Sequence, residues 1–164
     1  MLNVLYFAFG VSIAGRLLFR SRTGEMNGTL RLEGYTLAIL PVIDQRGPHV
    51  QLTTFWQALK RPPGNLHPVF LYTRADGAIV YQQADLPFEL YWRPTSEWQP
   101  GVLYKLTSPE LRVSTLEETL LAVVPTDGNS NEPAERLAIM PAPGSPIPNT
   151  ADAGTLLRLL RLPK

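Results

Sequence analysis

The chain has 164 residues, room for one domain with a buried core, and its 15 basic and 14 acidic residues leave a net charge of +1. That balance, with no long single-sign run, excludes the electrostatic footprint of a nucleic-acid binder, and the absence of cysteine excludes disulfides, iron–sulfur clusters and thiolate zinc sites. Charged residues, at 18%, fall below the soluble average of about 25%, and the 16 prolines suit turns, edge strands and extended tails. The composition therefore points to an all-β body, with part of the chain outside water.

Leu2 to Gly15 carries no charge, and the apolar run resumes after Arg16 with Leu17, Leu18 and Phe19. A helix from Leu2 to Phe19 would be about 27 Å long, against a bilayer hydrocarbon core of about 30 Å. The expectation is one membrane anchor over residues 1–22, with Val4, Leu5, Phe7, Phe9, Val11, Ile13, Leu17 and Leu18 in lipid. Arg16, Arg20 and Arg22 would then reach the headgroups. A buried or interfacial helix and a cleaved signal peptide are the competing readings, and the latter lacks a basic region before its apolar stretch. The positive-inside rule applied to these arginines would put the following domain in the cytoplasm.

Residues 23–140 read as a β-sandwich of about seven or eight strands. Leu30, Leu32, Gly34, Thr36, Ala38 and Leu40 alternate with Arg31, Glu33 and Tyr35, as a strand with one buried face would. Val50, Leu52, Thr54, Trp56 and Ala58 repeat the pattern, which assigns Trp56 to the core. Val69 to Thr73 and Ala78 to Gln82 flank Asp76-Gly77, the chemistry of a tight antiparallel hairpin. Further short strands are expected at Phe88 to Trp92, Val102 to Thr107, Leu111 to Val113 and Leu120 to Val124, punctuated by Pro94, Pro100-Gly101, Pro109 and Pro125. Residues 141–164 read as a proline-rich tail ending in a short amphipathic helix. Its leucines, Leu156, Leu159 and Leu160 among them, need cover from the domain, a partner or a bilayer surface.

The order and spacing of Leu30 to Leu37, Leu52 to Ala58, Val69 to Leu71 with Asp76-Gly77, Gln83 to Pro87 and Pro94 to Gly101 resemble a known module. It is the β-sandwich at the C-terminal, extracytoplasmic end of bacterial membrane glycosyltransferases. The resemblance covers about residues 29–139 and implies a sandwich on the outer face of a membrane, against the arginine rule. The polytopic catalytic portion of those enzymes has no counterpart here, and the family's final glycine-tyrosine strand is replaced by Ala122-Val123-Val124-Pro125. A copy on its own anchor resembles an accessory subunit of an energy-converting complex, such as the quinol-oxidising alternative complex III.

Residue chemistry points to no catalytic centre. His49 and His67 stand beside prolines as surface or turn residues, without a metal's further ligands at usable spacing. Asp76, Asp85 and Asp127 occupy turns where carboxylates cap backbone N–H groups, and Ser96 and Ser108 lack a nucleophile-elbow context. Asn27-Gly28-Thr29 matches a glycosylation sequon. Tyr91, Trp92 and Trp98 flank the turn Arg93 to Glu97 and form the candidate face for a partner or sugar. The expected function is a non-catalytic, single-pass accessory subunit of a membrane complex, without cofactor, packing on other subunits and the bilayer. The alternatives are a cell-surface carbohydrate-binding module, recognised by an aromatic cleft lined with Asn, Gln or Asp, and an undetected hydrolase with carboxylates converging in a pocket.

Overall fold

The computed structural model describes residues 11–12, 15–20, 24–40, 49–74, 76–83, 85–112, 118–141 and 150–161. These residues are mostly strand, in two antiparallel sheets of eight and five strands. The first sheet holds β1 (Val11–Ser12), β2 (Gly15–Arg20), β3 (Gly24–Met26), β4 (Leu30–Leu40), β5 (His49–Ala58), β8 (Leu103–Thr107), β9 (Leu111–Arg112) and β11 (Ile139–Met140). The second runs in the order β12 (Thr150–Ala151), β13 (Leu156–Arg161), β10 (Glu118–Pro125), β6 (Leu66–Thr73) and β7 (Ile79–Gln82). One short helix, α1 (Phe88–Trp92), follows β7 in the chain.

The long strands β4 and β5 form the spine of the first sheet. β5 buries Val50, Leu52, Thr54, Trp56 and Ala58 on one face, as its alternation predicts, and Trp56 Nε1 donates to Thr54 Oγ1 at 2.8 Å. β4 departs from a single alternation: Leu32 faces Trp56 across the ladder but Gly34 faces Phe55, so Glu33 is the extra residue of a bulge. One inserted residue exchanges the two faces, and Tyr35, expected opposite the apolar side, is fully buried in the core. Its hydroxyl donates to the carbonyl of Leu159 in the other sheet. A shared core of Leu32, Tyr35, Leu52 and Trp56 with Phe70, Leu121, Val123, Leu157 and Leu159 joins the sheets in a sandwich-like arrangement. Asn27 and Gly28, with φ of 50° and 58°, make the tight turn between β3 and β4, so the sequon residues serve a hairpin.

The hairpin read at Asp76-Gly77 forms as expected. Gly77 takes φ 82°, Asp76 Oδ1 accepts from the Ala78 N–H at 2.9 Å, and Tyr72 pairs with Tyr81. β7 covers only Leu71 to Thr73 of β6. Beyond it, the hydroxyl of Thr95 accepts from the Leu66 N–H at 2.6 Å and donates to the Leu66 carbonyl at 3.0 Å, and the Gln83 N–H donates to the Phe70 carbonyl at 2.9 Å.

Three expectations for local structure are corrected. The helix anticipated over residues 1–22 is strand at Val11 and at Leu17 and Leu18, where β2 pairs Leu17 with Ala38 and Leu18 with Leu37. A short apolar run fits a paired strand as well as a helix, and here β4 offers an open edge to pair with. Val4, Leu5, Phe7, Phe9 and Ile13 lie outside the described residues. Among the described residues no helix is long and apolar enough to cross a membrane. Phe88 to Trp92, expected as a strand, is helix α1. The C-terminal leucine run, expected as an amphipathic helix, is strand β13, paired with β10 and buried at Leu156, Leu157 and Leu159. Leu156, Leu157 and Leu159 are covered by the domain itself. Leu157 is wholly buried opposite Leu121, so Leu157→Ala is expected to lower stability by about 2–5 kcal/mol in urea unfolding. A surface helix would have predicted a change within about 0.5 kcal/mol.

His67, expected at a surface or turn, is buried in β6 with no hydrogen-bond partner for Nδ1. Burial holds its pKa below the ordinary 6.5, because the charged ring would lose its hydration. The unfolded chain takes up a proton near pH 6.5 while the folded chain does not, so stability falls as pH drops below 6.5 and levels off once the folded ring protonates. Urea midpoints measured from pH 7.5 to 5 should fall more steeply for the wild type than for His67→Gln; equal slopes would refute this role.

Candidate functional site

The exposed face expected around the Arg93–Glu97 turn is built by α1 and β8. Pro87 leads into the helix with φ −50°, which prepares the first turn, and Glu89 places its charge at the helix start. The helix is anchored by Leu90, its one buried residue. Glu89 Oε1 also accepts the Thr107 N–H of β8 at 3.1 Å. Phe88 and Trp92, four residues apart, fall on one side of the helix and meet edge to face with ring centroids 6.1 Å apart. Both point to solvent, at 69% and 77% exposure, with Tyr91 at 65% beside them and Leu103 of β8 at 60%.

Between α1 and β8 lies a groove of about 450 Å³. Phe88, Trp92 and Leu103 give it apolar walls, and Trp98, Tyr104 and Leu106 form its base. Trp98 and Tyr104 are stacked with centroids 4.2 Å apart and planes 5° from parallel. Trp98 Nε1 donates to the Arg93 carbonyl at 3.1 Å, and the Tyr104 hydroxyl accepts from the Gln99 N–H at 2.8 Å. Their polar tips are thereby satisfied inside the domain.

The polar groups of the groove are Glu89, Arg93 and Lys105. Arg93 and Lys105 are exposed, and neither has an ion-pair partner among the described residues. Glu89 Oε2 is shielded from water without a hydrogen-bond partner. Among the described residues no group of three or more His, Asp or Glu is placed to hold a metal. His49 pairs with Glu110 at 3.6 Å, and neither residue lines the groove.

The residues of the candidate face are divided between surface and interior. Tyr91 and Trp92 are exposed on it. Trp98, at 2% exposure, is the base of the groove, with one face of its ring stacked on Tyr104. Leu156 and Leu159 belong to the core of the sandwich, and Leu160 lies in β13 opposite Thr119. Phe88 and Leu103 were missed. The signal for Phe88 was available, since a proline followed by aromatics at positions i and i+4 fits a short amphipathic helix. No protein-family model, curated protein or solved structure matches this chain.

The two tryptophans have opposite roles and should respond differently. Trp98→Ala is expected to cost about 3–5 kcal/mol in urea unfolding, by opening a cavity under the groove. Trp92→Ser should stay within about 0.5 kcal/mol of the wild type.

Proposed function

We propose that this protein is a non-catalytic accessory subunit of a multi-subunit membrane complex and holds its partner through the groove face of α1 and β8. One observation carries the reading. Among the described residues the most exposed large hydrophobics, Phe88, Tyr91, Trp92 and Leu103, gather beside one groove, ahead of Ile79, Tyr81, Val102 and Met140, which are less exposed. Exposed aromatics clustered at a concave, rigidly based surface have the composition of an interface centre. Binding there would stabilise the assembled state by mass action, without chemistry.

The membrane setting rests on the sequence. With Val11–Ser12 and Gly15–Arg20 committed to the sheet, the uncharged segment ahead of them runs from Leu2 to Gly10. That length, about 14 Å if helical, suits insertion to interfacial depth better than a full span. The outer-face location and the quinol-oxidising electron-transfer complex are the setting suggested by the module resemblance. A carbohydrate-binding module is the second reading, favoured by Trp92 beside polar groups, although the groove offers Glu89, Arg93 and Lys105 where Asn, Gln or Asp was expected.

The test is purification of the tagged full chain from its native membranes in mild detergent, beside the double variant Phe88→Ser/Trp92→Ser. The wild type should migrate with a defined set of subunits, and the variant should migrate alone with an unchanged melting temperature. If both run as monomers and the wild type binds an immobilised glycan array, the subunit reading is replaced by the carbohydrate one.

A further inference from the structure

Resting on the docking reading above, we infer the chemistry of the occupant: the groove takes a peptide segment of a partner subunit that carries apolar side chains next to a carboxylate. The apolar half of this match is set by Phe88, Trp92 and Leu103, whose exposed side chains line one continuous groove with the Trp98–Tyr104 stack beneath. A bulky aliphatic or aromatic side chain of the partner would lose water against these surfaces.

The charged half comes from Arg93 and Lys105. They enter the groove wall from different elements, one just past the end of α1 and the other in the middle of β8, so the groove has a cation on each side. Three other cations are paired, Arg31 with Glu25, Arg136 with Asp152 and Arg158 with Glu118, whereas Lys60, Arg61 and Arg74 are exposed outside the groove. Arg93 and Lys105 have no such partner among the described residues. The one acidic residue of the groove forms no ion pair with either of them and leaves the groove with one cation in excess. Glu89 turns one oxygen to the Thr107 N–H at 3.1 Å, and its other oxygen is shut away from water. Two exposed cations without ion-pair partners, beside an apolar trough with a single carboxylate, complement an acidic–apolar peptide and repel a basic one.

The geometry also favours a peptide over a broad flat partner surface. A trough of about 450 Å³ admits a few side chains, and its walls are separate elements held apart by the stacked base. Arg93 supplies a planar fork for a carboxylate, whereas Lys105 acts as a point charge on a flexible stem.

Two measurements test this. Fluorescein-labelled nonapeptides with alternating Glu and Leu/Trp, with Gln replacing Glu, and with Lys replacing Glu are titrated against the full chain by fluorescence anisotropy. The acidic peptide should bind best, more weakly as salt rises, and Arg93→Gln/Lys105→Gln should weaken it by about tenfold, as the loss of two partly solvated ion pairs implies. Equal binding of all three peptides, or of none, overturns the inference. In the second, the complex from native membranes is treated with a zero-length carbodiimide, which joins the Lys105 amine to a carboxylate in contact with it. A cross-linked peptide containing Lys105 and an Asp or Glu of another subunit is expected. If Phe88→Ser/Trp92→Ser abolishes assembly, while Arg93→Gln/Lys105→Gln assembles normally and Lys105 of the wild-type complex forms no cross-link, the acidic-peptide inference alone is overturned. Assembly that survives both double variants sinks the docking reading as well.

Discussion

The fold depends on satisfying strand β10 on every side. Glu118 to Pro125 pairs with β6 along its whole length on one edge and with β13 on the other, and residues 119–124 are buried on both faces. A strand of this kind forces two layers: Leu121 and Val123 meet the first sheet, while Leu120, Ala122 and Val124 join Val69, Leu71 and Leu156 in a second cluster. Leu156, Leu157 and Leu159 supply the cover this strand requires. Arg136 ties the same region together from behind. Its side chain, 3% exposed, pairs with Asp152 and donates to the Ser130 carbonyl at 2.6 Å and the Asn131 carbonyl at 3.3 Å. A guanidinium is tolerated at that depth only with its donors answered. Here the answers come from the turn after β10 and the approach to β13, so the segment read as a tail is stitched to the domain.

The legible parts of the sequence were those where one physical signal acts alone. Period two in β5 and positive-φ chemistry at Asp76-Gly77 each specify a single backbone outcome, and both appear as read. Where two signals compete, the sequence is silent about the winner. Leucines at 156, 157, 159 and 160 fit a helix face and also fit a strand that carries a bulge, as β13 does against Thr119 and Leu120. Glu33 shows the same limit from another direction: no residue type announces a bulge, yet it decides that Tyr35 enters the core. Phe88 to Trp92 has strong strand propensity, but a five-residue piece after proline, with an acidic residue at its start, closes as a turn of helix.

The site was half legible for a related reason. Tyr91, Trp92 and Trp98 were chosen for being aromatic near a turn, and chemistry of that kind does not say which rings stack and which remain wet. The stack of Trp98 on Tyr104 needs β8 and the turn before it to be in place, information held in long-range pairing such as Trp56 with Tyr104. The exposed rings therefore sit on a base that belongs to the sheet. Such a base keeps side chains of the face oriented before anything binds, which reduces the ordering cost of association.

The outer margin of β6 has a consequence for how copies of this protein behave together. In the register with β10, the backbone groups of Leu66, Pro68 and Phe70 turn away from that partner, past the end of β7. Leu66 is answered by the hydroxyl of Thr95, Pro68 has no amide hydrogen to offer, and the carbonyl of Phe70 is taken by Gln83. A foreign strand arriving there meets a ladder already interrupted at each of these three residues. Self-templated growth of fibrils is discouraged along this stretch of β6 without any charge being spent on it.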